Sequence, residues 1–271
     1  MKKRKLSWTT LSLFGVLLVG LGILLYPSVS QWWNITRQSY AVDQYEDSVE
    51  KMQDKERERL FEEAENYNEE IKAISNPLVN YDQVDNYKDT LQIQGQDVID
   101  FLEIDSINVN MPIYHSTSPD ILNIGVGHLE GTTLPIGGEG NHSVLTTHAG
   151  APHARLFTDL LELEEGDTFT ITVLDRIMTY EVDQLKTVLP HEVESLEAAE
   201  DKDYVTLFTC TPYGINTHRY LVRGHRIENP QPVEEKEDSN YKNIILIALI
   251  VTLSLILLLV FRRKKKSSTK I

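Results

Sequence analysis

A single thiol sets the chemical question for this 271-residue chain. Cys210 is its only cysteine, so no intramolecular disulfide can form. It ends the apolar stretch Thr206-Leu207-Phe208-Thr209-Cys210, and Thr211-Pro212-Tyr213-Gly214 follows at once. Proline offers no ladder donor, and proline and glycine both favour turns, so the thiol sits at a strand end. A nucleophile placed there is held rigidly and still faces a cleft; a small buried hydrophobe is the plainer role for a lone cysteine. A thiol with an ordinary pKa of about 8.5 needs a base or a cation beside it. Of eight histidines, His148 ends Val144-Leu145-Thr146-Thr147-His148 and precedes Ala149-Gly150, the same placement as Cys210. His142, His153, His191, His218 and His225 lie in more polar or looping settings. Arg219 opens the run after the turn, with Arg223 and Arg226 beyond it. A guanidinium stays protonated and can hold a developing oxyanion, although ordinary ion pairing is the commoner use. Cysteine, histidine and arginine on three strand ends would make a thiol acyl-transfer site.

Metal chemistry is less well served. His142, His148 and His153 are spaced by 6 and 5 residues with no cysteine among them, which matches no compact zinc pattern. Asp82-Gln83-Val84-Asp85-Asn86 with Asp89 is faintly like a calcium loop but lacks its central glycine and terminal glutamate. No metal or cofactor is expected.

The elements that must position these residues are mostly short β-runs. They span 98–104, 107–114, 143–147, 168–174, 177–187, 205–210 and 218–226, with a hairpin turn at Asp175-Arg176 and a short helix near 154–161. Seven or eight strands in about 130 residues imply a closed barrel or a sandwich. Ahead of them, residues 39–75 are highly charged, yet Leu60, Ala64, Tyr67, Ile71 and Ile74 recur at intervals of 4, 3, 4 and 3. Tyr45, Val49 and Met52 form a weaker earlier stretch. That is one apolar stripe on a helix, docking onto the β-region or pairing as a coiled coil. Asn76-Pro77 ends it, because the residue before proline resists the helical conformation. Residues 76–92 carry neither period and read as a lid-like loop.

Charge partitions the chain further. Its net charge is −15, yet residues 1–26 and 243–271 contain no acidic residue and hold ten of the 26 basic ones. The middle therefore carries −25, which excludes the basic stripes of a nucleic-acid binder. Residues 6–26 and 244–261 are uncharged apolar runs, the first behind Lys2-Lys3-Arg4-Lys5 and the second before Arg262-Arg263-Lys264-Lys265-Lys266. Each is long enough to span a bilayer, and basic flanks stay cytoplasmic. A cleaved signal peptide is the alternative for the first, although Pro27-Ser28-Val29-Ser30-Gln31 offers no good small-x-small site. The expected layout is a basic end and anchor (1–26), an extracellular amphipathic helical segment (27–75), the lid-like loop (76–92), the β-domain (93–228), an acidic tether (229–242) and a second anchor with a basic tail (243–271). Both termini would face the cytoplasm, with the domain between them outside the cell membrane.

Thr206 through Arg219 resembles the TLxTC signature of sortases, with the extension of the pilus-assembling class C, including Arg219 nine residues after Cys210. Gly127-His128-Leu129-Glu130-Gly131-Thr132 through Thr146-Thr147-His148-Ala149-Gly150 is similar to the histidine-bearing stretch of the same family. The likeness covers residues 98–228 and extends to the two-anchor layout. It implies a mainly β fold: a closed eight-stranded barrel with short helices, flanked by the helical segment and two membrane helices. It further implies Cys210 as nucleophile, His148 as general acid/base and Arg219 as oxyanion or substrate-orienting cation. The reaction would cut an LPxTG-like sorting signal between Thr and Gly and join the threonine to a pilin lysine. Its partners would be pilins and the lipid bilayer.

The resemblance has one clear departure. Class C sortases place an Asp-Pro-aromatic lid before the barrel, whereas this loop reads Tyr81-Asp82-Gln83-Val84-Asp85-Asn86-Tyr87. Asp82, Val84 and Tyr87 become the lid candidates, Asp82 toward Arg219 and the others over the thiol. The C-terminal end also resembles a cell-wall sorting tail, but 229–242 holds no LPxTG-like pentapeptide. Alternative readings are a tethered cysteine protease, a housekeeping sortase attaching proteins to cell-wall peptide, and a non-catalytic extracellular binding module.

Overall fold

The computed structural model describes residues 8–151 and 154–229. His153, most of the expected tether and the expected second anchor lie outside the described residues. Three helices come first: α1 (Trp8–Glu50), α2 (Asp54–Ala73) and the single turn α3 (Pro77–Asn80). The helix expected over 39–75 is in fact broken at residues 51–53, and its first part continues the apolar N-terminal run through Pro27 without interruption. The fading of the stripe between Met52 and Leu60 marks that break. On α1, Val42, Tyr45 and Val49 are buried, and on α2 so are Leu60, Phe61, Ala64, Tyr67 and Ile71, so the stripe docks within this chain. Burying each large apolar side chain contributes about 1.5–3 kcal/mol. Polar contacts fix the pose. The Tyr45 hydroxyl donates to Ile99 O (2.7 Å) and accepts from Leu174 N (2.7 Å). The buried Asn68 amide donates to Leu134 O (3.1 Å) and accepts from Leu134 N (2.7 Å).

The β-region contains β1 (Val98–Ile104), β2 (Val109–His115), the turn α4 (Pro119–Leu122), β3 (Val126–His128), β4 (Asn141–Thr146), β5 (Ala149–Ala151), β6 (Ala154–Leu156), β7 (Thr168–Val173), β8 (Arg176–Val188), β9 (Asp203–Thr211) and β10 (His218–Ile227). Eight strands close into a barrel in the order β1-β2-β3-β4-β9-β10-β8-β7, while β5 and β6 form a separate two-stranded sheet. β2–β3 and β4–β9 are parallel, and the other pairs are antiparallel. Closure removes the exposed sheet edges that a sandwich would leave. Three-residue β3 is too short for a periodic signal and escapes a sequence reading. The helix expected near 154–161 is instead β6 followed by a 3-10 segment, Phe157–Glu162.

Residues 76–92 are not structureless. Asn76 takes a left-handed conformation before Pro77, and a second 3-10 turn covers Tyr81–Gln83. Val84 is buried. Tyr87 packs on Tyr67, His115 and His128, its hydroxyl at 2.8 Å from His128 Nδ1 and accepting from Ser116 N (3.0 Å). Burial pushes the His128 imidazole down to about 3 and that of His115 to about 4, because a desolvated ring resists charging. Both stay neutral in the folded state while the unfolded chain protonates near pH 6.5. The contribution of these two rings is therefore full above about pH 6.5 and is expected to fall, by about 1.4 kcal/mol per pH unit for each ring, as pH drops toward 3–4. Urea melts at pH 7.5, 6 and 5 in an Asp100→Asn background, which removes a buried carboxyl titrating in the opposite sense, check this; a midpoint that does not move there would overturn it.

Candidate active site

Strand register assembles the site. Along β9, Val205, Leu207 and Thr209 are buried, while Thr206, Phe208 and Cys210 share the opposite face. On β10, Arg219 is the antiparallel Cα partner of Cys210. Directly opposed residues project from the same face with Cβ atoms about 4.5–5.5 Å apart. β4 runs parallel to β9 with Thr146 beside Phe208. His148 lies two residues beyond the end of β4, as Cys210 lies two beyond Phe208 on β9. The path to His148 is pinned, because Thr209 Oγ1 donates to Thr147 O (2.9 Å) and Phe157 N donates to His148 O (3.1 Å). Cysteine, histidine and arginine thus lie at the same end of the barrel.

All three are half-buried, and Cys210 is a free thiol. Arg219 Nη1 donates to Asn216 O (3.2 Å) and His218 O (3.1 Å), so the turn's own carbonyls orient the guanidinium. Its Nε and Nη2 donate to no acceptor among the described residues. The other arginines are committed elsewhere: Arg223 forms a two-pronged pair with Asp183 (2.9 and 3.0 Å), and Arg226 donates to Thr179 O and Asn229. Among the histidines, His142 bonds Thr206 Oγ1 (2.7 Å) and Glu197 O (2.9 Å) beneath the 193–200 segment. The rim is tight. A Cβ on Gly150, which has φ +73°, would meet the Tyr213 ring at 2.2 Å.

A groove of about 280 Å³ is lined by Arg219, Phe208, Leu221, Leu189 and Val193 together with Leu78, Tyr81, Glu130 and Glu192, whereas neither Cys210 nor His148 lines it. Leu78 and Val193 also line a neighbouring groove of about 660 Å³ under α2. Of the lid candidates, Asp82 is exposed and, like Val84 and Tyr87, does not line the groove at Arg219. Val84 and Tyr87 are anchored in the packing described above. The rim residues Leu78 and Tyr81 escape a reading for an acid beside an aromatic. Their signal is an apolar pair, Leu78-Val79, inside a polar loop just after Pro77. Phe208 and Leu221 are cross-strand partners on the faces of β9 and β10 that carry Cys210 and Arg219. No cluster of metal-binding side chains occurs among the described residues.

Comparison with known proteins gives one answer at each level. The sequence model of the sortase domain matches residues 102–227. Sortase D of Bacillus subtilis is 31% identical over 129 residues, 46% of this chain and 62% of that relative. Sortase A of Streptococcus agalactiae is 26% identical, with 47% of its length matched, so this chain spans less than two thirds of these curated relatives. Among solved structures, sortase C1 from Streptococcus agalactiae superposes with a TM-score of 0.64 at 39% identity, covering 70% of this chain and 100% of that one. Sortase C of Clostridium perfringens, solved with the C-terminal cell wall sorting motif, gives 0.62 at 41% identity, covering 70% and 100%. Sequence and fold agree, at identities well above those that report fold alone, that this chain belongs to the sortase family and that its structural likeness is to class C.

Proposed function

We propose that this protein is a membrane-anchored cysteine transpeptidase that polymerises pilins. Cys210 thiolate attacks the Thr–Gly carbonyl of an LPxTG-like signal, and Arg219 Nε and Nη2 hold the oxyanion that develops. His148 gives the leaving glycine amine its proton, producing a threonyl thioester on Cys210. A lysine ε-amine of the next pilin then attacks the thioester, loses its proton to His148, and releases the thiolate with an isopeptide bond formed. One amide replaces another, so no ATP is needed. The observation that carries this reading is the Cα pairing of Cys210 with Arg219 at the end of the barrel where β4 leads into His148. The class C likeness favours a lysine acceptor over a cell-wall amine. The test mixes the protein with an LPxTG-type peptide and a lysine-bearing pilin domain, and mass spectrometry looks for the adduct on Cys210 and the Thr–Lys product. An adduct that only hydrolyses, or that passes only to glycine amines, overturns the pilin assignment.

The pre-barrel segment screens the groove from its rim. Tyr81→Ala is expected to raise the alkylation rate of Cys210 a few-fold with little change in stability, since Tyr81 is 43% exposed. Tyr87→Phe should do the reverse. It strands Ser116 N and His128, costing about 2 kcal/mol, and leaves alkylation unchanged. Equal alkylation rates in Tyr81→Ala and the parent would count against the screening role.

A further inference from the structure

The membrane end of the molecule and its reactive end coincide. α1 is one helix from Trp8 to Glu50, and the chain's three tryptophans, Trp8, Trp32 and Trp33, all lie on it. Trp8 and Trp32 are 24 residues apart, about 36 Å along a helix rising about 1.5 Å per residue. A bilayer's hydrocarbon core is about 30 Å thick, and about 40–45 Å with its headgroup layers. Tryptophan and tyrosine gather at those two interfaces, and here Trp8 lies toward one end of the apolar run while Tyr26, Trp32 and Trp33 lie toward the other. Trp32 and Trp33 are more than half exposed in the isolated protein, as is Tyr26.

No stem separates this belt from the barrel. Gln31 follows Tyr26, the last of the apolar run, by only five positions, about 7.5 Å along the helix. Gln31, Asn34 and Ile35 already line a cleft shared with Ser106, Asn110 and Leu156. One further bond joins the helix to the stretch before β3, as Gln38 Nε2 donates to Ile124 O (3.0 Å), and that stretch is in turn tied to the residue next to His148, as Thr147 Oγ1 donates to Leu122 O (3.0 Å). The topology agrees. β2 is parallel to β3, β3 antiparallel to β4, and β4 parallel to β9, so the β1–β2 hairpin at Ser106 lies at the end where β4 and β9 finish. Asp201, just before β9 begins, lies at the opposite end.

We propose that the barrel sits with its Cys210 end directly on the outer lipid headgroups, held there by Trp32 and Trp33 in the interfacial layer. The inference rests on reading α1 as a membrane anchor, and it deepens the proposed function by placing the thiol where a membrane-tethered substrate presents its signal. Its test does not depend on turnover, so it can fail while the transpeptidase reading stands.

The experiment uses the full chain in phosphatidylcholine vesicles. In Trp8→Phe only Trp32 and Trp33 emit. Lipids brominated near the headgroup should quench them at least twofold more than lipids brominated deep in the chain. In a Cys210→Ala background, fluorophores are attached at Ser106→Cys and Asp201→Cys, with Asn110→Cys as a second probe of the same hairpin should the first variant not fold. A headgroup nitroxide lipid is expected to quench the hairpin probe at least twofold more than the Asp201 probe. Equal quenching of the two probes overturns the seating. Tryptophan emission quenched by aqueous iodide but by neither brominated lipid overturns the belt.

Discussion

Arg219→Ala is expected to lower kcat/KM for the transpeptidation by about 10²–10³, the usual cost of removing one oxyanion donor, with the fold intact. The guanidinium is oriented by Asn216 O and His218 O on the strand partner of Cys210, so under the proposed mechanism its loss strips the transition state of charge while leaving no buried partner unsatisfied. Arg219→Lys should recover only part of this, because an ammonium lacks the flat fork that presents Nε and Nη2 together. Cys210→Ala should show no threonyl adduct at all. Arg223→Ala is the internal control. Its side chain pairs with Asp183 and lies 4.2 Å from the Tyr204 ring centroid, so it should lose stability and keep kcat/KM within a few-fold. Steady-state kinetics beside thermal melts separates the two arginines. An Arg219→Ala enzyme with parental kcat/KM would remove Arg219 from the mechanism.

The second large effect concerns stability. Asp100 is fully buried on β1, and neither carboxylate oxygen has a hydrogen-bond partner. Desolvation pushes its carboxyl well above the ordinary range, so it is held as the neutral acid. Between the unfolded value near 3.8 and the raised native value, the folded protein holds a proton that the unfolded chain has released. Stability contributed by this group is therefore full below about pH 3.8 and is lost as pH rises, at about 1.4 kcal/mol per pH unit. Asp100→Asn, a neutral isostere, escapes that loss. Its advantage over the parent should be small at pH 4 and grow steadily to pH 8, amounting to several kcal/mol if the carboxyl stays neutral throughout. Comparing the two proteins at each pH cancels the opposing titration of His115 and His128. A pH-independent difference would mean that native Asp100 is ionised.

Much of this protein was legible along the chain because it depends on local chemistry. Alternation of buried and outward residues marks β9, the Thr211-Pro212 break ends it, and the lone thiol follows from counting. The charge partition marks the apolar ends, and α1 confirms helix for the first of them. What the sequence could not supply is whatever depends on which distant segments meet. The register pairing Cys210 with Arg219, and the parallel run of β4 beside β9 that leads into His148, belong to three strands from separate parts of the chain. The commitment of Arg223 to Asp183 needs β8 beside β10. The pre-barrel segment shows the limit most clearly: Tyr81, Val84 and Tyr87 are close neighbours in a polar stretch with no period, yet Tyr81 rims the groove and the others are anchored below it. Side-chain type is intrinsic to a residue, whereas burial is a property of the partners that folding brings to it, and only the closed barrel decides those.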